Sequence, residues 1–97
     1  LLIPDVYALH QNYPNPFNPT TTLKYDLPEN AYVTLKIYDI MGREVIALFS
    51  NGYQEAGYRS IKWNGLNQYG KPVGSGMYFY MIKTTNFTKT RKMIMLK

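Results

Sequence analysis

One imidazole, His10, and three serines, Ser50, Ser60 and Ser75, are what this chain of 97 residues offers toward a serine–histidine catalytic apparatus. A serine attacks only when a base lies within hydrogen-bond reach and a third group orients that base. None of the three serines sits in a nucleophile motif, so any triad would have to recruit His10 from the N-terminal segment. The expectation is an exposed or capping histidine. Metal chemistry has equally little material, because there is no second His, no Cys, and no Asp/Glu cluster at metal-ligand spacing. No metal and no cofactor is expected. The dispersed carboxylates leave open a glycosidase pair such as Asp26 and Asp39, but a domain this small has little room for a substrate cleft of the usual size.

Two local patterns invite chemistry and carry little. Gly70-Lys71-Pro72-Val73-Gly74-Ser75-Gly76 is glycine-rich, yet no helical pattern follows it, and its spacing matches neither the P-loop nor the dinucleotide fingerprint. A flexible connection between strands, with no packed element, is expected there. Asn86-Phe87-Thr88 satisfies the glycosylation sequon, a three-residue match that is common by chance and needs a host with the machinery.

Charge is distributed more tellingly. Residues 1–82 balance six bases (Lys24, Lys36, Arg43, Arg59, Lys62, Lys71) against six acids (Asp5, Asp26, Glu29, Asp39, Glu44, Glu55), so the formal net charge of +5 belongs to the C-terminal segment. A basic terminus able to form a strand looks like something another molecule reads. Nucleic acid is the first suggestion of a sequence pI near 9.5 with many aromatics. The distribution argues against it: most tyrosines interleave with aliphatics on strand faces, and the bases outside the tail are cancelled by acids. A carbohydrate-binding or adhesion-type accessory module would need a flat row of exposed rings, for which Tyr32, Tyr38, Tyr53, Tyr58 and Tyr69 are candidates.

The elements that must position these groups are strands. Ten Tyr, four Phe and one Trp favour pleated sheets, and helical Ala-rich or Leu-rich stretches are missing. The chain has the length of one domain with one core. Thr21, Leu23, Tyr25 and Leu27 alternate with Thr22, Lys24 and Asp26, and Val33, Leu35 and Ile37 alternate with Thr34, Lys36 and Tyr38. Arg43 to Phe49 reads as a further strand of unassigned facing, stopped by Asn51-Gly52. Gly57 to Trp63 alternates again, with Trp63 expected as a core plug. Met77 to Thr85 and Thr88 to Leu96 form a closing hairpin around Asn86-Phe87. About seven short antiparallel strands at roughly ten-residue spacing predict an all-β, immunoglobulin-like sandwich. No apolar run approaches the ~20 residues that span a bilayer as a helix. Absence of Cys is compatible with the cytosol and with a domain that crosses an envelope. The start, Leu1-Leu2-Ile3-Pro4-Asp5, lacks an initiator Met and a leader pattern, so the chain is expected to be part of a longer protein.

Several ordered motifs together carry a family resemblance. Asn12-Tyr13-Pro14-Asn15-Pro16-Phe17-Asn18-Pro19-Thr20-Thr21-Thr22, Tyr25-Asp26-Leu27-Pro28, and Val33 through Val45 closely resemble the type A C-terminal sorting domain of the type IX (Por) secretion system. Gly57-Tyr58, Trp63-Asn64-Gly65, Gly76-Met77-Tyr78-Phe79-Tyr80 and the ending Lys92-Met93-Ile94-Met95-Leu96-Lys97 continue it, so that it covers about residues 9–97. The middle portion is also similar to the Ig-like domain of flagellar hook-capping proteins.

The resemblance implies a non-catalytic secretion signal at the end of a larger exported protein of Bacteroidota or related bacteria, often a hydrolase, protease or adhesin. Residues 1–8 would then end a linker from the cargo, and residues 9–97 would be the sorting domain. Implied partners are the outer-membrane secretion machinery and a sortase-like processing protease, with delivery through the periplasm and outer membrane to the cell surface or medium.

Within that reading, Lys89, Arg91, Lys92, Met93, Ile94, Met95, Leu96 and Lys97 are the candidate recognition residues. A final strand at a chain end can offer an edge for strand addition, and its bases can steer toward an acidic partner. The same bases could instead be solubilising gatekeepers on an exposed edge. The lead-in Asn12, Tyr13, Pro14, Asn15, Pro16, Phe17, Asn18, Pro19 is either a recognised element or a structural one. In the structural version Phe17 packs on the end of the sandwich while Asn15 and Asn18 bond nearby backbone.

Overall fold

The alternating stretches form seven strands in the computed structural model, which describes residues 2–96. They are β1 (Ala8–Leu9), β2 (Thr21–Leu27), β3 (Ala31–Tyr38), β4 (Glu44–Gln54), β5 (Gly57–Trp63), β6 (Gly76–Lys83) and β7 (Thr88–Met95). Every strand pairing is antiparallel, in a three-stranded sheet ordered β1-β2-β5 and a four-stranded sheet ordered β4-β3-β6-β7. The described residues contain no helix, and the two sheets bury their facing sides against each other as an all-β sandwich.

Period-2 patterning explains which face goes inside. Leu23, Tyr25 and Leu27 of β2, Val33, Leu35 and Ile37 of β3, and Tyr78, Tyr80 and Ile82 of β6 all lie in the core. Trp63 joins the two layers: its ring meets Tyr78 of the other sheet edge-on at 5.5 Å and Phe17 at 5.7 Å. Its indole N–H, which a buried Trp must satisfy, donates to the Leu66 carbonyl at 2.9 Å.

Three features depart from the sequence reading. First, Asn51-Gly52 does not stop β4, which continues to Gln54. Asn51 takes a positive φ of 54°, tolerable for Asn, and donates its N–H to Thr34 Oγ1, forming a bulge inside the strand. Pairing of β3 with β4 is irregular at three places, between Val33/Leu35, Leu35/Lys36 and Ile37/Tyr38. Each slip shifts the alternation, which is why Ile46, Ala47, Leu48 and Phe49 are all half-buried and no single facing could be assigned.

Second, the connection 64–75 is packed rather than flexible. Asn67 Oδ1 accepts from the N–H groups of Tyr69 and Lys71, and the Tyr78 hydroxyl donates to Gly74 O. The backbone bond Gln68 N to Val45 O ties it to β4 of the sandwich, and Val73 N to Gly65 O closes it on itself. Third, the folded body reaches upstream: Pro4 is buried, the Tyr7 ring stacks on Phe87 at 5.2 Å, and β1 pairs Ala8 with Asp26 and Leu9 with Tyr25.

Candidate recognition surface

β7 closes the four-stranded sheet, so one side of its backbone faces away from β6. Its side chains alternate: Met93 and Met95 are fully buried, whereas Lys92, Ile94 and Leu96 beyond it are exposed. A partner therefore meets Met93 and Met95 only through the fold that they hold. Lys89 is exposed and Arg91 half-buried, while Lys97 lies outside the described residues.

The proline-rich lead-in runs along the outer side of β7. Its X–Pro bonds at Pro14, Pro16 and Pro19 are all cis. It first pairs with β2, where Tyr13 N and O exchange hydrogen bonds with Thr22. It then crosses to the other sheet, where Phe17 N donates to Ile94 O and Leu96 N donates to Phe17 O, a parallel bridge beside Met95. Asn15 Oδ1 accepts the Ile94 N–H at 3.0 Å, Gln11 Nε2 donates to Lys92 O at 2.9 Å, and the Arg91 guanidinium donates to Leu9 O. The second half of the β7 edge is thus occupied by the chain's own lead-in. Strand addition there would displace Phe17, a fully buried ring whose burial contributes roughly 1.5–3 kcal/mol.

Two buried polar groups fix the path of the strap. Asn12 donates through Nδ2 to Thr21 Oγ1 at 3.0 Å and to Pro14 O at 3.2 Å, and its backbone N–H donates to the Tyr80 hydroxyl. Thr21 Oγ1 in turn donates to Pro14 O. The Tyr80 hydroxyl donates to His10 O, and burial raises its pKa above the usual phenol value, so it stays a neutral donor. The side-chain and backbone groups thereby replace the ladder bonds that three prolines cannot make. Phe17 packs in the core and Asn15 bonds the Ile94 N–H as expected, whereas the exposed Asn18 side chain makes no hydrogen bond among the described residues, so it does not anchor nearby backbone. Gln11 and Tyr80 belong to the same network but carried no sequence signal beyond Tyr80's place on a core-facing alternation.

The other candidates are dispersed. His10 Nε2 lies 2.9 Å from Asp26 Oδ2 on the surface of the smaller sheet. Asp39 organises the β3–β4 turn, accepting from the backbone N–H groups of Arg43 and Met41 and from Arg43 Nε. The Arg43 backbone bond, outweighing partial desolvation, holds its pKa below the usual value, the reverse of what a general acid needs. Among the described residues no group of three or more His, Cys, Asp or Glu side chains could hold a metal ion. Of the candidate rings, Tyr32 and Tyr53 are cross-strand partners meeting edge-on at 5.5 Å, whereas Tyr58 is on β5 in the other sheet and Tyr69 is in the 64–75 connection. Asn86 of the sequon donates to Glu29, which also accepts from the Tyr7 hydroxyl.

Fold and surface together define an immunoglobulin-like module in which two segments far apart in sequence form one edge of the sandwich. The chain belongs to the family of secretion system C-terminal sorting domains, which matches residues 11–96. None of the curated proteins matches it.

Among solved structures, it is similar to dimeric latent PorU from Porphyromonas gingivalis, with TM-score 0.72 and 27% identity over 98% of this chain and 10% of that one. PorZ of the same organism, an essential surface component of its type IX secretion system, shares the fold with TM-score 0.63 at 23% identity, over 93% of this chain and 12% of PorZ. FlgD from P. aeruginosa gives TM-score 0.60 and 28% identity over 77% of this chain and 57% of FlgD, in keeping with the expected relation to a flagellar Ig-like domain. The chain spans about a tenth of the length of PorU and PorZ.

Proposed function

We propose that this domain is a non-catalytic sorting signal that directs a larger cargo through the outer membrane by the type IX secretion system, to the cell surface or medium. The observation that carries this reading is the family match over residues 11–96, spanning both the lead-in and the final strand. Its partners are then the outer-membrane secretion machinery and a sortase-like processing protease, and the residues ahead of the buried Pro4 connect it to the cargo. The similarity to PorU and the shared fold of PorZ support the same assignment.

The test is export of a periplasmic reporter fused to residues 1–97 in a competent host. Export to the surface or medium is expected, and retention in the periplasm of a folded, intact fusion would sink the reading. Removing residues 91–97 is a poor variant, because it deletes Met93 and Met95 from the core. Substitution of exposed side chains keeps folding and recognition separable.

A second reading, a carbohydrate-binding accessory module, is favoured by one observation. The exposed Tyr32–Tyr53 pair adjoins a surface cavity of about 300 Å³ lined by Tyr32, Thr34, Asn51, Lys83, Thr84 and Thr85. Retention on an insoluble polysaccharide, lost in Tyr32→Ala and Tyr53→Ala, would support it; passage of the intact domain through the matrix counts against it.

A further inference from the structure

We infer that the secretion signal is conformational: the exposed side chains of the lead-in and of the final strand form one docking surface for an acidic, partly apolar face of the export machinery. This rests on the sorting role proposed above and specifies where that partner touches. Residues 9–17 run beside residues 91–96 and are bonded to them at Leu9, Gln11, Asn15 and Phe17. Exposed side chains here include Pro16, Lys92, Ile94 and Leu96, together with Tyr13, which bridges to Thr22 of β2 and lies in the chain between Gln11 and Asn15, the two residues whose side chains bond β7. Tyr13 is 80% exposed, and Ile94 and Leu96 are 38% and 54% exposed.

Three considerations favour side-chain docking on this seam. The backbone edge at Ile94 is already bonded to Asn15 and Phe17, so a partner strand has no free ladder there. Ile94 and Leu96, exposed at the end of the final strand, and Tyr13 and Pro16, exposed on the strap bonded to it, supply apolar side chains for the centre of an interface with a polar border. The charge is of one sign: residues 6–25 and 56–97 contain no Asp or Glu, and Lys92 shares the outer face of β7 with Ile94, while Lys89 and Arg91 alternate to its other face. Such a border steers and orients an acidic partner. Neither segment alone presents the surface, so only the folded domain displays it.

The experiment uses the same reporter fusion, with each variant's folding checked by thermal denaturation of the purified domain. Tyr13→Ser, Ile94→Thr and Leu96→Ser should each reduce export about tenfold, as truncating a central interface side chain does. Tyr13→Phe, which keeps the ring, should retain export. Lys92→Glu should fall further than Lys92→Gln, and this pair reads the strand should Ile94→Thr lower the melting temperature. Tyr58→Ser, an exposed tyrosine on the other sheet, should export normally.

Normal export of folded Tyr13→Ser alongside failure of the β7 variants would overturn the composite surface in favour of a linear tail signal. Equal loss in Tyr58→Ser would overturn its location. Failure of the unmodified fusion would overturn the sorting role itself, and this inference with it.

Discussion

The lead-in at 10–20 and the connection at 64–75 are the two long stretches without regular strand, and they are held by different means. Both satisfy backbone groups with asparagine side chains, Asn12 and Asn15 in one and Asn67 in the other. The lead-in also drives Phe17 into the core against Trp63 and buries Asn12 and Thr21. By contrast, the connection sends no apolar side chain fully into the core, its Leu66 and Val73 being half-buried, and is gripped at its rim by the Trp63 indole and Tyr78 hydroxyl. An irregular segment can therefore be as much a part of the core as a strand, and apolar anchoring decides which one is.

Removing that anchor is the strongest way to break the contrast. Phe17→Ala should destabilise the domain by about 3–5 kcal/mol, read from the denaturant midpoint, whereas Val73→Ala should cost well under half as much. Comparable losses would mean that the two segments are held alike. Asn12→Ala comes next, at about 1–3 kcal/mol, because it unpairs buried partners around Thr21 and Pro14. Asn67→Ala, whose partners lie near water, should cost about 0.5–1.5 kcal/mol in the same assay.

Where the two segments touch, Gly65→Ala tests their junction. Gly65 has φ of +78°, and an added Cβ would sit 3.0 Å from Met95 Cε and 3.1 Å from Pro19 O. A loss of about 1–3 kcal/mol is expected, with hydrogen exchange accelerated at Leu96 and Phe17 more than at Tyr69.

Acid titration should have the smallest effect. Asp39 is held low chiefly by the Arg43 N–H, and Glu29 chiefly by the Tyr7 hydroxyl. Carboxylates with depressed native pKa values add stability above their unfolded values near ~4, and lose it as pH falls through the native ones. The denaturation midpoint should thus drop slightly below about pH 4. Asp39→Asn with Glu29→Gln should flatten that drop without altering the ranking of the core variants; an unchanged slope would remove both groups from the account.

The strands β2 and β3 were legible because nothing interrupts their alternation, and Trp63 was legible as a core residue for the same reason. β4 was not, since its bulges come from pairing with β3 and leave only the ambiguous dipeptide Asn51-Gly52 in the sequence. Order in the 64–75 connection was hidden because hydroxyl and amide bonds to backbone have no period. The lead-in and the final strand were each singled out, yet their union was not: Asn15 and Ile94 are 79 positions apart, and neither composition nor motif spacing encodes that contact.

The parallel bridge between Phe17 and Met95 has a mechanical consequence. Under tension applied between the N-terminal segment and the end of β7, two neighbouring stretches running in the same direction slide past each other, and their bonds are loaded together instead of peeling one after another. Pulling from the two termini in a single-molecule experiment should meet its main resistance at this seam, ahead of the β6–β7 hairpin. The same strap that shapes the surface would then keep the domain folded under load.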